Sequence, residues 1–228
     1  MKYPYLLFDA DDTLFDFPRA SARAFSFMCD RHGIPDTPQV QQLYHQINLE
    51  LWAAFDRGEV TKEFVTLERY IRFLRALGSA EDPARCNEDY LSALGECVYP
   101  LPHAEEVCRA LVEQGHLLYI VTNAVASVQR SRLKGSVFSR LITDAFISED
   151  AGASKPDPAY YDYVRRRLPG MTAENCLVIG DSLATDIRGA NNAGLWCCWF
   201  NPGRKPRPTD LRIDYEIADL RQLLEIVS

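Results

Sequence analysis

The chain has 228 residues, 47% of them hydrophobic and 25% charged, which excludes a disordered, collagenous or coiled-coil protein and leaves room for one large domain with an insert or two unequal domains. A formal net charge of -7 provides no footprint for a nucleic-acid polymer or an anionic membrane, so the expected partner is a small soluble metabolite. No apolar run approaches the roughly 20 residues that span a bilayer, and Met1-Lys2-Tyr3 enters a strand-like segment without a cleavage site, so a cytoplasmic protein is expected.

In chain order, Tyr5 to Phe8 is a short apolar run that ends at a cluster of acids, as a buried parallel strand does when it delivers polar residues to its C-terminal edge. Residues 17–97 then read as successive amphipathic helices, with turn signals at Gly33-Ile34-Pro35, Arg57-Gly58 and Gly78-Ser79. Pro100-Leu101-Pro102 interrupts that pattern and marks the return to alternating strands and helices. Helical patterns follow at 103–114, 125–134, 157–168 and 183–193. Between them lie apolar runs: Leu117 to Val121 ending at Thr122-Asn123, a shorter Ala145-Phe146-Ile147, Cys176 to Ile179 ending at Gly180-Asp181, and Leu195 to Phe200 ending at Asn201. The alternation predicts an α/β fold: a Rossmann-like parallel sheet core flanked by helices, formed by 1–16 and 98–228, with an inserted all-helical domain at 17–97 after the first strand. In such sheets ligands bind outside the carboxyl ends of the strands.

Seven cysteines, at 29, 86, 97, 108, 176, 197 and 198, include no Cys-x-x-Cys pair and no zinc-ligand spacing. Free thiols in a reducing compartment are expected, with Cys176 and Cys198 as buried packing. Gly203-Arg204-Lys205-Pro206-Arg207-Pro208 reads as a solvated basic loop.

Asp9, Asp11, Asp12 and Asp16 place four carboxylates directly after the first strand. Clustered acids repel and are costly to desolvate unless a cation neutralises them, and hard oxygen ligands without His or Cys favour Mg²⁺. A solvated acidic turn is the bland alternative. The other strand ends shift the balance: Thr122 offers a hydroxyl, Lys155 an ammonium before a helix, and Gly180-Asp181 through Asp186 two more carboxylates. Together these supply a nucleophile, metal ligands and anion donors, and phosphoryl transfer needs little more.

Four ordered motifs, Asp9-x-Asp11-x-Thr13, Thr122, Lys155 and Gly180-Asp181-x-x-x-x-Asp186, resemble those of the haloacid dehalogenase superfamily across the whole core, and the helical block at 17–97 resembles its inserted cap. The resemblance implies that Asp9 attacks phosphorus to form an aspartyl-phosphate, while Asp11 protonates the leaving oxygen and then activates water. It implies Mg²⁺ held by Asp9 and Asp181 through carboxylates and by Asp11 through its carbonyl, with Asp186 supporting the metal or Lys155 from further out. Thr122, Asn123 and Lys155 would hold phosphoryl oxygens, Asn123 through its main chain. Asp12, Asp16 and Asp150 read as polar surface. The acid at Asp11 separates phosphate-ester cleavage from dehalogenation, whose halide leaving group needs no proton, and does not separate a phosphatase from a mutase.

The Asp-Ala-Asp-Asp-Thr-Leu-Phe start and the segment Ile47 to Trp52 resemble the superfamily's house-cleaning pyrimidine 5′-nucleotidases, although Ala124 stands where that subgroup often has glycine. Asn48 and Trp52 share a helix face, offering an amide for a base edge and a ring for stacking, and Phe17 a second apolar wall. The competing reading puts Trp52, Tyr44 and Phe55 in the cap's own core. A sugar-phosphate or phosphoglycolate-type phosphatase, or a phosphomutase, is the alternative enzyme. A binding protein on a retired core is disfavoured by the intact set Asp9, Asp11, Thr122, Lys155 and Asp181. A monomer or homodimer is expected.

Overall fold

A computed structural model describes residues 2–228. Its first strand, β1 (Tyr5–Phe8), is followed by four helices, α1 (Phe17–Arg31), α2 (Pro38–Asp56), α3 (Lys62–Leu77) and α4 (Pro83–Glu96). The chain then runs through α5 (Ala104–Glu113), β2 (Leu117–Thr122), α6 (Ala126–Gly135), β3 (Ile142–Ile147), α7 (Ser148–Ala151), α8 (Pro158–Arg167), β4 (Cys176–Gly180), α9 (Arg188–Asn192), β5 (Trp196–Phe200), β6 (Tyr215–Ile217) and α10 (Leu223–Val227). The six strands form one sheet in the order β3-β2-β1-β4-β5-β6, parallel throughout.

β1 is central because it is apolar on both faces. Leu6 and Phe8 pack with Ala104, Val107 and Leu111 of α5 and with Leu223 and Val227 of α10. Leu7 points the other way, toward Tyr160, Tyr161 and Val164 of α8. Strands buried on both faces lose their alternation and read as continuous hydrophobic runs. β6 carries no such run, since its middle residue is Glu216 and only Ile217 is buried. β3 begins at Ile142, earlier than the Ala145 run, because Thr143 and Asp144 are exposed.

Helices α1 to α4 pack around a core of their own, with Ala20, Ala24, Phe25 and Met28 meeting Tyr44, Tyr70, Phe73 and Tyr90. Each helix starts at a side chain that accepts a backbone N–H: Asp16, Thr37, Thr61 and Asp82, which offsets the unpaired donors of a first turn. α3 stops at Gly78, whose φ of 64° is a left-handed helix end that glycine adopts without penalty. Asp16, read from the sequence as polar surface, is therefore the cap of α1.

The two crossings between the helices and the sheet lie side by side. Asp16 N donates to Tyr99 O at 2.8 Å, and Leu101 N donates to Leu14 O at 2.8 Å. The two connections thus form a short antiparallel ribbon through Phe15 and Pro100. Away from it, Lys62 of α3 reaches the sheet side, donating to Ala124 O (3.0 Å), Ser148 Oγ (2.7 Å) and Glu149 Oε1 (3.1 Å).

All seven cysteines are buried free thiols. Gly203 to Arg207 is exposed, and Arg207 pairs with Glu216 at 2.5 Å. Asp150 is exposed and bound by Arg130. Among the described residues no helix is long and apolar enough to cross a membrane.

Candidate active site

Three neighbouring strands end at one edge and deliver Asp9 after β1, Thr122 at the end of β2 and Asp181 after β4. Lys155 comes in from the loop before α8. Its Nζ donates to Asp9 Oδ1 (2.6 Å), Asp186 Oδ1 (2.6 Å) and the carbonyl of Val121 (2.8 Å). All three donors of the ammonium are thereby used. Lys155 is 2% exposed, Asp186 fully buried and Asp9 8% exposed, so the ion pairs sit in a low dielectric where charges act strongly.

The loop that holds Lys155 is fixed by Asn123, whose Oδ1 accepts from Lys155 N and whose Nδ2 donates to Lys155 O, both at 2.9 Å. That commits the Asn123 side chain to positioning Lys155. Thr122 is buried; its N–H donates to Tyr160 Oη at 2.9 Å, and Oγ1 accepts from Ala124 N at 3.1 Å. Asp186 is set by a single wide π-type turn where the sequence predicts an ordinary helix from 183. Ile187 N reaches back to Ser182 O, and Ser182 N donates to Asp186 Oδ2 at 3.1 Å. This places the Asp186 carboxylate where a side chain at 180 would be: a Cβ on Gly180 would lie 2.3 Å from Asp186 Cγ, so glycine is required. Trp199 Nε1 donates to Asp181 O at 2.9 Å and fixes the next backbone turn.

Carboxylate oxygens of Asp9, Asp181 and Asp186 lie within 4.8 Å of one another. Burial pushes Asp9 well above the usual carboxylate range; Lys155 pulls it back, and the charges of Asp186 and Asp181 add to the rise. Burial, then Asp186 and Asp12, push Asp181 up to about 7. For Lys155 burial acts downward, but Asp186 and Asp9 outweigh it and hold the ammonium well above its ordinary value. Three carboxylates face one ammonium; fully ionised they leave two negative charges uncompensated, which fits an oxygen-ligated dication such as Mg²⁺.

These groups floor a cleft of about 310 Å³ whose other walls are Phe17, Asn48, Leu49, Trp52, Asp56, Arg69, Tyr90 and Arg132. Phe17 and Trp52 are half-buried there, and Trp52 meets Phe55 edge to face at 5.5 Å. Asn48 is 5% exposed and accepts from Arg69 Nη1 at 3.1 Å. Tyr44 instead stacks on Phe25 inside the helical core. Asp12, read as polar surface, lies in this cleft with a φ of 61°, and burial and the Asp11 charge push it up to about 6.

Three cleft residues escape the sequence reading. Asp56 continues the stripe of Asn48 and Trp52 at the same spacing of four, a visible signal; burial pushes it up to about 6. Arg69 and Arg132 are buried arginines that the sequence pattern does not single out. Arg132 pairs with Asp11.

A sequence profile for the haloacid dehalogenase-like hydrolases matches residues 6–200. The chain belongs to that family. The HAD-hydrolase YfnB of Bacillus subtilis is 38% identical over 227 residues, spanning 100% of this chain and 96% of that protein. Its crystal structure, bound to magnesium and described as revealing interdomain movement, covers 100% of both chains at a TM-score of 0.93. The pyrimidine 5′-nucleotidase PynA of Streptococcus pneumoniae is 31% identical, covering 100% of this chain and 96% of its own. The pyrimidine 5′-nucleotidase YjjG of Escherichia coli is 27% identical, covering 100% and 99%.

Proposed function

We propose that this hydrolase is a Mg²⁺-dependent phosphomonoesterase that forms an aspartyl-phosphate on Asp9 and takes nucleoside 5′-monophosphates, pyrimidines first. The observation that carries the chemistry is the pairing of a buried, Lys155-bound Asp9 with a second acid, Asp11, in one cleft. Support for the substrate class comes from the two full-length relatives named pyrimidine 5′-nucleotidases and from Trp52 and Asn48 in the same cleft.

Asp9 attacks phosphorus as the ester bond breaks, and Asp11 gives its proton to the departing oxygen. Asp11 then takes a proton from the water that cleaves the aspartyl-phosphate. Thr122 donates its hydroxyl to a phosphoryl oxygen, Lys155 supplies its charge and exchanges its bond to Asp9 Oδ1 for a phosphoryl oxygen as Asp9 takes up the phosphoryl group, and Asn123 keeps Lys155 in place. Asp9 and Asp181 through carboxylates and Asp11 through its carbonyl would hold Mg²⁺, which when bound supplies positive charge for the phosphate and for the carboxylate cluster. Closure of residues 17–97 over the cleft, which Lys62 fastens, excludes water and brings Trp52 and Asn48 to the leaving group.

The test is a panel of phosphorylated metabolites with the wild type and Asp9→Asn. Pyrimidine nucleotides should lead the panel, and a folded Asp9→Asn should show no turnover. Near-wild-type turnover by that variant would remove the covalent mechanism, and a sugar phosphate outpacing every nucleotide would remove the substrate class while leaving the chemistry.

A further inference from the structure

Arg132 lies three residues from the end of α6, where a basic residue ordinarily faces water, yet it is 1% exposed. Its Nη1 donates to Asp11 Oδ1 and, at 3.3 Å, to Gln129 Oε1. Its Nε donates to the carbonyl of Cys97 at 3.3 Å, and its guanidinium lies 4.5 Å from the centroid of the Phe15 ring. Nη2 is buried without a partner. Burying a guanidinium is expensive and is recovered only where geometry is fixed around it. Here the fixed points are Asp11 and the two connections that carry the chain into and out of α1 to α4, one through Phe15 and the other leaving Cys97.

We infer that Arg132 is the positioning residue for the acid–base carboxylate of Asp11; the inference rests on the phosphoryl-transfer reading above. Arg132 donates to Oδ1 and so fixes the plane of the carboxylate, which leaves Oδ2, with no side-chain donor among the described residues, as the oxygen to exchange a proton with the leaving group. In the first half-reaction an oxygen of Asp9 bonds to phosphorus, the ester P–O bond breaks with its electron pair on the leaving oxygen, and that oxygen takes the proton from Asp11 Oδ2. In the second, water bonds to phosphorus and gives its proton to Oδ2, and the bond from phosphorus to Asp9 breaks with its pair returning to the carboxylate. Because Arg132 also grips Cys97 O and the Phe15 ring, it ties the aim of Oδ2 to the joint between the helices and the sheet.

A role exercised through a proton donor is selective for the leaving group. The readout is kcat/KM, which reports steps through phosphorylation of Asp9, measured with Mg²⁺ on a nucleoside monophosphate, whose alkoxide needs a proton, and on p-nitrophenyl phosphate, whose phenolate does not. Arg132→Met should lower kcat/KM about 30-fold or more for the nucleotide, part of the roughly 10²–10⁴-fold that a general acid contributes, and under about threefold for the aryl ester. Arg132→Lys, which keeps the buried charge and one donor, should show the same selectivity at a smaller size, and it stands in if the Met variant fails to fold. Combining Arg132→Met with Asp11→Asn should cost nothing beyond Asp11→Asn alone, since the second residue acts only through the first. Equal losses on both esters, no loss on either, or multiplying losses in the double variant would overturn the assignment. An Asp11→Asn variant with unchanged nucleotide hydrolysis would instead sink the reading of Asp11 itself, and that of Arg132 with it.

Discussion

Replacing Lys155 by Met removes one charge and keeps most of the side-chain volume. It strands Asp9 and Asp186, both buried and both bonded to Nζ at 2.6 Å, and leaves the Val121 carbonyl without its donor. Deleting one partner of a buried ion pair costs about 3–5 kcal/mol, and a chain of this size loses about 2–4 °C per kcal/mol, so the unfolding midpoint in EDTA should fall by roughly 6–20 °C. Magnesium should recover more of this in the variant than it adds to the wild type, because the variant's three carboxylates have no ammonium among them. Turnover should fall about 100-fold or more even in saturating Mg²⁺, since a preorganised charge facing the phosphoryl group is gone. Thermal unfolding followed by circular dichroism, in EDTA and across a magnesium titration, measures both terms. A midpoint within about 2 °C of wild type in EDTA, under the loss expected for even 1 kcal/mol, or equal magnesium shifts in the two proteins, would show that Lys155 does not neutralise this cluster.

EDTA should abolish turnover and Mg²⁺ restore it, and by mass action the metal should stabilise the wild type by about 2.7 kcal/mol at a hundredfold excess over Kd; calorimetry of Asp181→Asn should show that shift largely lost. Trp52→Ala should lower kcat/KM for pyrimidine nucleotides about tenfold, the size of one lost base stack, with hydrolysis of a small generic ester nearly unchanged; equal losses would make Trp52 a packing residue. His32 pairs through Nδ1 with Glu81 (2.8 Å) and through Nε2 with Asp89 (2.9 Å). Burial acts downward on its pKa, but the two carboxylates outweigh it and hold the imidazolium above the ordinary 6.5. The stability it adds is fully present below 6.5 and is lost as pH rises through the raised folded value. The wild-type midpoint should therefore decline over that window, and His32→Gln should flatten the decline; a profile unchanged by the substitution would refute the pairing.

The sheet is legible in the sequence because β1, β2, β4 and β5 are buried on both faces and announce themselves as apolar runs, whereas β6, with Glu216 at its centre, does not. Asp9, Thr122, Asp181 and Asp186 are legible for a related reason: a parallel strand or the turn after it delivers each to the same edge. Lys155 reads from its loop before a helix. The wide turn after Asp181 is not legible, since it depends on Asp186 filling the space that Gly180 leaves empty. Nor is Arg132, whose partners Asp11 and Cys97 stand 121 and 35 residues away in the chain; nothing within its own helix distinguishes it from a solvent-facing arginine. Asp56 was readable as the third member of the Asn48 and Trp52 stripe.

The antiparallel ribbon at the two crossings has a consequence for how such a chain can change over time. Because Asp16 and Tyr99 are hydrogen-bonded neighbours, the residues between them can lengthen, shorten or be exchanged for another insert without moving the ends that the sheet must hold. The cleft walls from Phe17 to Tyr90 are encoded in that one continuous stretch, and the carboxylates of the floor, Asp9, Asp11, Asp181 and Asp186, are encoded outside it. Recombination at this single joint would exchange those walls while leaving the carboxylates of the floor in place, with one exception: Arg132 sits on the floor side and grips the joint, so a transplanted insert must still present a carbonyl where Cys97 now does.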